Sequence, residues 1–251
     1  MLFAALMAAC GSTGPAGVGG PVFGGIGGLS GGYTTMGGRV AFEQALDPQF
    51  DYLYFTPTGS EGGWNCKTDG YCGHGGLRKD FGSIQEVDDF LFVSSANVVV
   101  DSVTWLVRNS GVQTKPITIA NSAQYSAARV AFEFVFASAR MNLATNDDSA
   151  IVRIKAGTDS ATIFKVTSAD LQSARFAARA GGCGTASIVV GRPILYGNCT
   201  AWVPTTADIT AFKGRSFVLQ FIVAEGSQKS SDLTDQPVTF LFRKTQLEAA
   251  K

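Results

Sequence analysis

Beyond residue 85 the chain repeatedly places apolar side chains at every second position. In RVAFEFVFASA, Val130, Phe132, Phe134 and Phe136 share one parity, while Ala131 and Glu133 take the other. GRSFVLQFIVA repeats this with Phe217, Leu219, Phe221 and Val223. Val152 and Ile154 alternate with Arg153 and Lys155, and Val238, Phe240 and Phe242 alternate with Thr239 and Arg243. Successive Cβ atoms of a strand face opposite sides, so a period of two predicts strands with one buried face. Further strand-like runs are Asp88–Ser94, Asn97–Val107, Ala161–Thr167 and Ser187–Gly191, with a first strand near Tyr52–Thr56.

Turn chemistry separates these runs. Asn109-Ser110-Gly111, Asn146-Asp147-Asp148, Gly157-Thr158-Asp159, Lys213-Gly214 and Ser230-Ser231-Asp232 all read as reversals. Many short strands with such spacing predict an antiparallel sandwich or barrel. Helical patterns between strands are nearly absent, which argues against a parallel α/β sheet. One short helix is predicted over Ser168–Ala180, with Ser168 as its cap, and Thr206–Phe212 is long enough for a turn only. The fold class expected is therefore all-β, with at most one or two short helices.

The first 38 residues differ from the rest. MLFAALMAA is a run of nine apolar residues before Cys10, the length of a signal-peptide core and far short of the ~20 needed to span a bilayer. Ala8 and Ala9 before Cys10 resemble a bacterial lipobox, in which the cysteine becomes the lipid attachment site. Met7 departs from the usual Leu, Val or Ile, and no basic residue precedes the run. The alternative is an apolar start with an ordinary cysteine. Residues 11–38 carry one Arg-free, Asp-free, Gly-rich stretch after another and predict a flexible linker, since glycine has the highest ordering entropy. The expected organisation is a lipobox-like segment over 1–10, a linker over 11–38 and one β-sandwich domain over 39–251.

Composition narrows the function classes. Of 251 residues, 45% are hydrophobic and 18 are Phe, enough for a large core. Lys+Arg and Asp+Glu both number 20, so no basic footprint for nucleic acid or anionic lipid is present. Membrane contact is expected only through the lipid at Cys10. A single histidine, His74, makes a His-based triad or metal site improbable. Adjacent acids such as Asp88-Asp89 and Asp147-Asp148 face opposite ways in a strand, so neither forms a general acid/base couple. No enzyme is expected.

Excluding Cys10, four cysteines remain: Cys66, Cys72, Cys183 and Cys199. Three connectivities are open, and Cys66–Cys72 with Cys183–Cys199 closes the shortest loops. An exported chain permits disulfides, whereas neither couple has the short spacing of a zinc site. The Gly-rich stretch Glu61–Gly76 holds Trp64, Tyr71 and His74 around the first couple, and these are the ligand-binding candidates. Asn146, Asp147 and Asp148, with Asp88 or Asp89, offer hard oxygen ligands for a structural Ca²⁺, against the simpler reading of a turn. Trp105 and Trp202 border apolar strands and read as core.

From Glu86 onward, the order of features resembles the jelly-roll β-sandwich of bacterial surface proteins and carbohydrate-binding modules. EVDDFLFVSSANVVVDSVTWLV resembles an opening strand pair, ARVAFEFVFASARMNLATNDDSAIVRI a central pair and PVTFLFRKTQLE a closing strand. WVPTTADITAFKGRSFVLQFIVA resembles a shared pattern in which Asp208 and Thr210 make a turn, Phe212 plugs the sandwich end and Gly214 permits the reversal. The last strand of that family usually carries an acid, where Arg243 and Lys244 stand here. The resemblance implies an exported, lipid-anchored or secreted protein at the outer membrane or cell surface, with a non-catalytic binding or structural role. Its partner would be a glycan or another surface protein. A carbohydrate-binding module, a subunit of an extracellular assembly and a glycan-active hydrolase are the alternatives.

Overall fold

The alternating segments pair into two antiparallel sheets that enclose a phenylalanine-rich interior. The computed structural model describes residues 33–36, 52–55, 75–100, 103–107, 109–114, 116–119, 125–139, 147–173, 175–189, 192–226 and 237–250. In chain order the strands begin with β1 (Tyr33–Met36), β2 (Tyr52–Phe55), β3 (Gly75–Phe81), β4 (Ile84–Ser94), β5 (Ala96–Val100) and β6 (Val103–Val107). They continue with β7 (Asn109–Thr114), β8 (Ile117–Thr118), β9 (Ala127–Ser138), β10 (Ser149–Ala156) and β11 (Asp159–Thr167). A short helix α1 (Ser168–Gln172) precedes β12 (Gly184–Val189), β13 (Arg192–Tyr196), β14 (Asn198–Cys199), β15 (Val203–Asp208), β16 (Ser216–Ala224) and β17 (Val238–Ala250).

The first sheet runs β14-β9-β17-β4-β3, with β15 also on β9 and β1 also on β17; the second runs β11-β10-β16-β7-β2. Within them β4 pairs with β17, β7 with β16, β9 with β15 and β10 with β11. Pairing of the outermost strands with each other, then the next inward, down to the β10–β11 hairpin, is the folded ribbon of a jelly roll. The antiparallel jelly-roll-like sandwich expected from alternation and turn spacing is the fold that forms.

The parity seen in the sequence sets the core. Val130, Phe132, Phe134 and Phe136 of β9 meet Val152 and Ile154 of β10, Phe217, Leu219, Phe221 and Val223 of β16, and Val238, Phe240 and Phe242 of β17. The Phe221 and Phe242 rings stack across the two sheets at 4.1 Å between centroids, and Phe132 meets Phe221 edge-on at 5.6 Å. Each such fully buried side chain contributes about 1.5–3 kcal/mol relative to exposure. The end of the sandwich closes as expected. The Asp208 carboxylate accepts from the N–H and hydroxyl of Thr210, Phe212 packs on the core, and Gly214 takes φ +75° at the reversal.

The other face of the first sheet is covered too. Phe90 and Phe92 of β4, Val135 and Ala137 of β9 and Leu241 of β17 pack under the β12–β13 hairpin, which contributes Ala186, Ile194 and Tyr196. A disulfide between Cys183 and Cys199, with Cα atoms 5.5 Å apart, closes the loop carrying this hairpin. Tyr196 is fully buried with its hydroxyl accepting from Thr239, itself hydrogen-bonded to Ser94. Burial pushes the Tyr196 hydroxyl pKa well above the usual tyrosine range, so it stays neutral in the folded protein.

Four sequence expectations shift. The helix covers only Ser168–Gln172, capped by Thr167, whose N–H donates to Asp170. Beyond it Phe176 turns into the core against Phe134, and Ala178 bridges Thr200, so tertiary pairing overrides helix propensity. Asn109-Ser110-Gly111 is part of strand β7, not a turn. Gly111 lies between Ile222 of β16 and Phe55 of β2, and Ser110 is fully buried. The run Asn97–Val107 is two strands, β5 and β6, paired with each other. Strand β1 falls within the span read as linker and pairs with the end of β17.

Gly182 marks how closely the covering loop is held. It has φ +66°, and a β-carbon there would stand 2.4 Å from the Tyr196 carbonyl oxygen. Gly182→Ala is therefore expected to lower the unfolding free energy by about 2–4 kcal/mol. Denaturant titration checks this, and an unchanged midpoint would contradict the close approach.

Candidate functional site

The most organised polar group among the described residues lies on the outer face of the first sheet, beside the area covered by the hairpin. Glu133 is the one acid in the apolar run of β9, and its parity points it away from the phenylalanine core. It is almost fully buried and accepts from Arg243 Nε at 2.6 Å and Lys244 Nζ at 2.9 Å. Arg243 also pairs with Glu86 of β4, and its guanidinium lies 4.0 Å over the Trp202 ring. The Trp202 indole N–H donates to Glu86 at 2.6 Å, and the ring meets Phe90 edge-on. A guanidinium held between two carboxylates and an indole face is a charge-assisted and cation–π arrangement in one place.

A regular strand cannot send two consecutive side chains to one face. Arg243 and Lys244 both reach Glu133 because the register of β17 against β9 shifts between Arg243 and Gln246. Lys244 sits in that bulge at φ 54°, a left-handed conformation that costs a non-glycine residue about 1–2 kcal/mol. Both Glu133 oxygens and both Glu86 oxygens take donors, so each carboxylate is engaged in pairing. The arrangement fixes Trp202 and four charged side chains in one rigid patch joining β4, β9 and β17; it leaves neither acid disengaged for proton transfer.

The candidates taken from the sequence fall elsewhere. Cys10, Trp64, Cys66, Tyr71, Cys72, His74 and Asn146 lie outside the described residues. Asp88 and Asp89 belong to β4. Asp147 is exposed, while Asp148 is fully buried, and its Oδ1 accepts from the Gly226 N–H at 2.7 Å. The Asp148 carbonyl accepts from Ser168 N–H, so this residue ties the start of β10 to α1 and to the end of β16. Cys183 and Cys199 are joined as the shortest-loop reading expects. Trp202, read as core, is half-buried at the rim of the outer-face cluster. The local signals that could have marked this patch are a single acid inside an otherwise apolar strand and two consecutive bases in the middle of another.

No family model matches the chain. No curated protein is similar to it at a significant level. Among solved structures, one of those matched is the K2 cleaved adhesin domain of Lys-gingipain, at 13% identity and a TM-score of 0.37, with 80% of this chain and 99% of that chain covered. A likeness at that level fixes neither fold nor function.

The bulge makes a prediction of its own. Lys244→Gly removes the ammonium and relieves the left-handed strain, whereas Lys244→Ala removes the ammonium and keeps the strain. The glycine variant is expected to be more stable than the alanine variant by about 1 kcal/mol. Paired denaturation curves read the difference, and an alanine variant of equal or greater stability would contradict the backbone assignment.

Proposed function

We propose that this chain is an exported surface protein whose β-sandwich has a non-catalytic role in binding or structure, with lipid at Cys10 and the Gly-rich stretch ahead of β1 as its tether. The observation that carries the reading is the Cys183–Cys199 disulfide. Both cysteines are buried, and the loop they close holds the β12–β13 hairpin over the apolar outer face of the first sheet. A structural disulfide of this kind persists in oxidising compartments and is rare in the cytosol. The neutral charge balance and the pairing of Glu86 and Glu133 support binding or scaffolding over catalysis. A glycan or another surface protein is the partner class this reading carries forward.

The test is export with covalent mapping. Protein recovered from the cell envelope is expected to yield a peptide linking positions 183 and 199 under non-reducing digestion. Radiolabelled palmitate is expected on the wild type and not on Cys10→Ala. Free thiols at Cys183 and Cys199 in envelope protein would overturn the compartment, and equal absence of label on both chains would overturn the anchor alone.

A further inference from the structure

The closing strand β17 changes neighbours along its length. Thr239–Phe242 pair with β4, and beyond the bulge Leu247–Ala250 pair with β1 instead, while β9 stays on the other side throughout. Leu247, Glu248, Ala249 and Ala250 are all buried. Their outer edge needs a strand, because an uncovered edge leaves a row of backbone donors and acceptors open to pairing. The strand that meets this need is short and remote. It is four residues long, stands between Gly31-Gly32 and Gly37-Gly38, and precedes β2, a strand of the other sheet, by residues 37–51. That connection reaches up to roughly 50 Å when extended.

The pairing is made through the main chain, in the register Tyr33 opposite Ala250 to Met36 opposite Leu247. Main-chain pairing gives affinity with little demand on side chains, so the same segment from any copy fits the slot equally well. Four paired residues also open more readily than the long central strands. We propose that the β17 edge over Leu247–Ala250 is a strand-acceptor site for Tyr33–Met36 of a second copy, so that copies link head to tail. Each copy donates at its N-terminal side and accepts at its C-terminal strand, a heterologous contact that builds a ring or an open filament. The proposal rests on the surface reading only for where the copies would meet.

The test uses full-length chains carrying both Thr35→Cys and Glu248→Cys, positions that face each other in the register. Isotope-labelled and unlabelled copies are mixed in equal amounts, refolded together, oxidised and mapped by mass spectrometry. Strand exchange predicts peptides linking positions 35 and 248 across the two isotopes, in a share that rises with protein concentration. Links confined to one isotope would overturn the proposal. Glu248 also pairs with Arg129, so a second measurement keeps the proposal falsifiable should that variant not fold. Sedimentation of the unmodified chain is expected to show concentration-dependent multimers that Thr34→Pro/Thr35→Pro abolishes. A wild type that stays monomeric would overturn strand exchange. The same protein with the 183–199 link intact would leave the surface reading standing.

Discussion

Strand β9 has no solvent face, and the rest of the structure follows from that. Every residue from Val130 to Ser138 is buried. A lone sandwich buries only the inner parity of such a strand. Here Val130, Phe132, Phe134 and Phe136 face the second sheet, and Val135 and Ala137 face the β12–β13 hairpin. The first sheet is thus a middle layer. Its outer apolar area requires a cover, and the Cys183–Cys199 loop, the glycine at 182 and the buried Tyr196 are the parts that hold the cover down.

Glu133 is the exception on that strand, and the outer-face patch exists to accommodate it. A nearly buried carboxylate is tolerated only when paired and hydrogen-bonded. Two cations are brought to it by one bulge, and the same bulge ends the contact between β17 and β4 and passes the edge to β1. One local irregularity therefore sets both the charged patch with Trp202 and the place where the N-terminal strand joins the fold. Strain at Lys244 is retained because pairing with Glu133 and the handover of the edge both depend on that backbone course.

Much of the inner core was legible in the sequence. The alternating phenylalanines of β9, β16 and β17 named their own buried parity, the Asp208–Thr210 turn was implied by the jelly-roll resemblance, and Cys183–Cys199 was part of the shortest-loop choice among three open pairings. What was not legible had long-range causes. Asn109-Ser110-Gly111 carries turn residues, yet it is a strand because Gly111 fits between Ile222 and Phe55 from distant parts of the chain. The helix after Ser168 stops early because Phe176 finds the core and Ala178 finds Thr200. The outer patch escaped notice because Glu86, Glu133, Trp202 and Arg243 are brought together only by strand order, which no local pattern encodes. Of the ligand candidates near Trp64, the described residues say nothing.

Native-state amide hydrogen exchange tests the central claim most directly. If β9 is closed in on both faces, the amides of residues 130–137 exchange slowest in the molecule, at rates set by global unfolding. If those amides exchange as fast as the amides of the edge strand β11, the first sheet is not a middle layer and the account is contradicted.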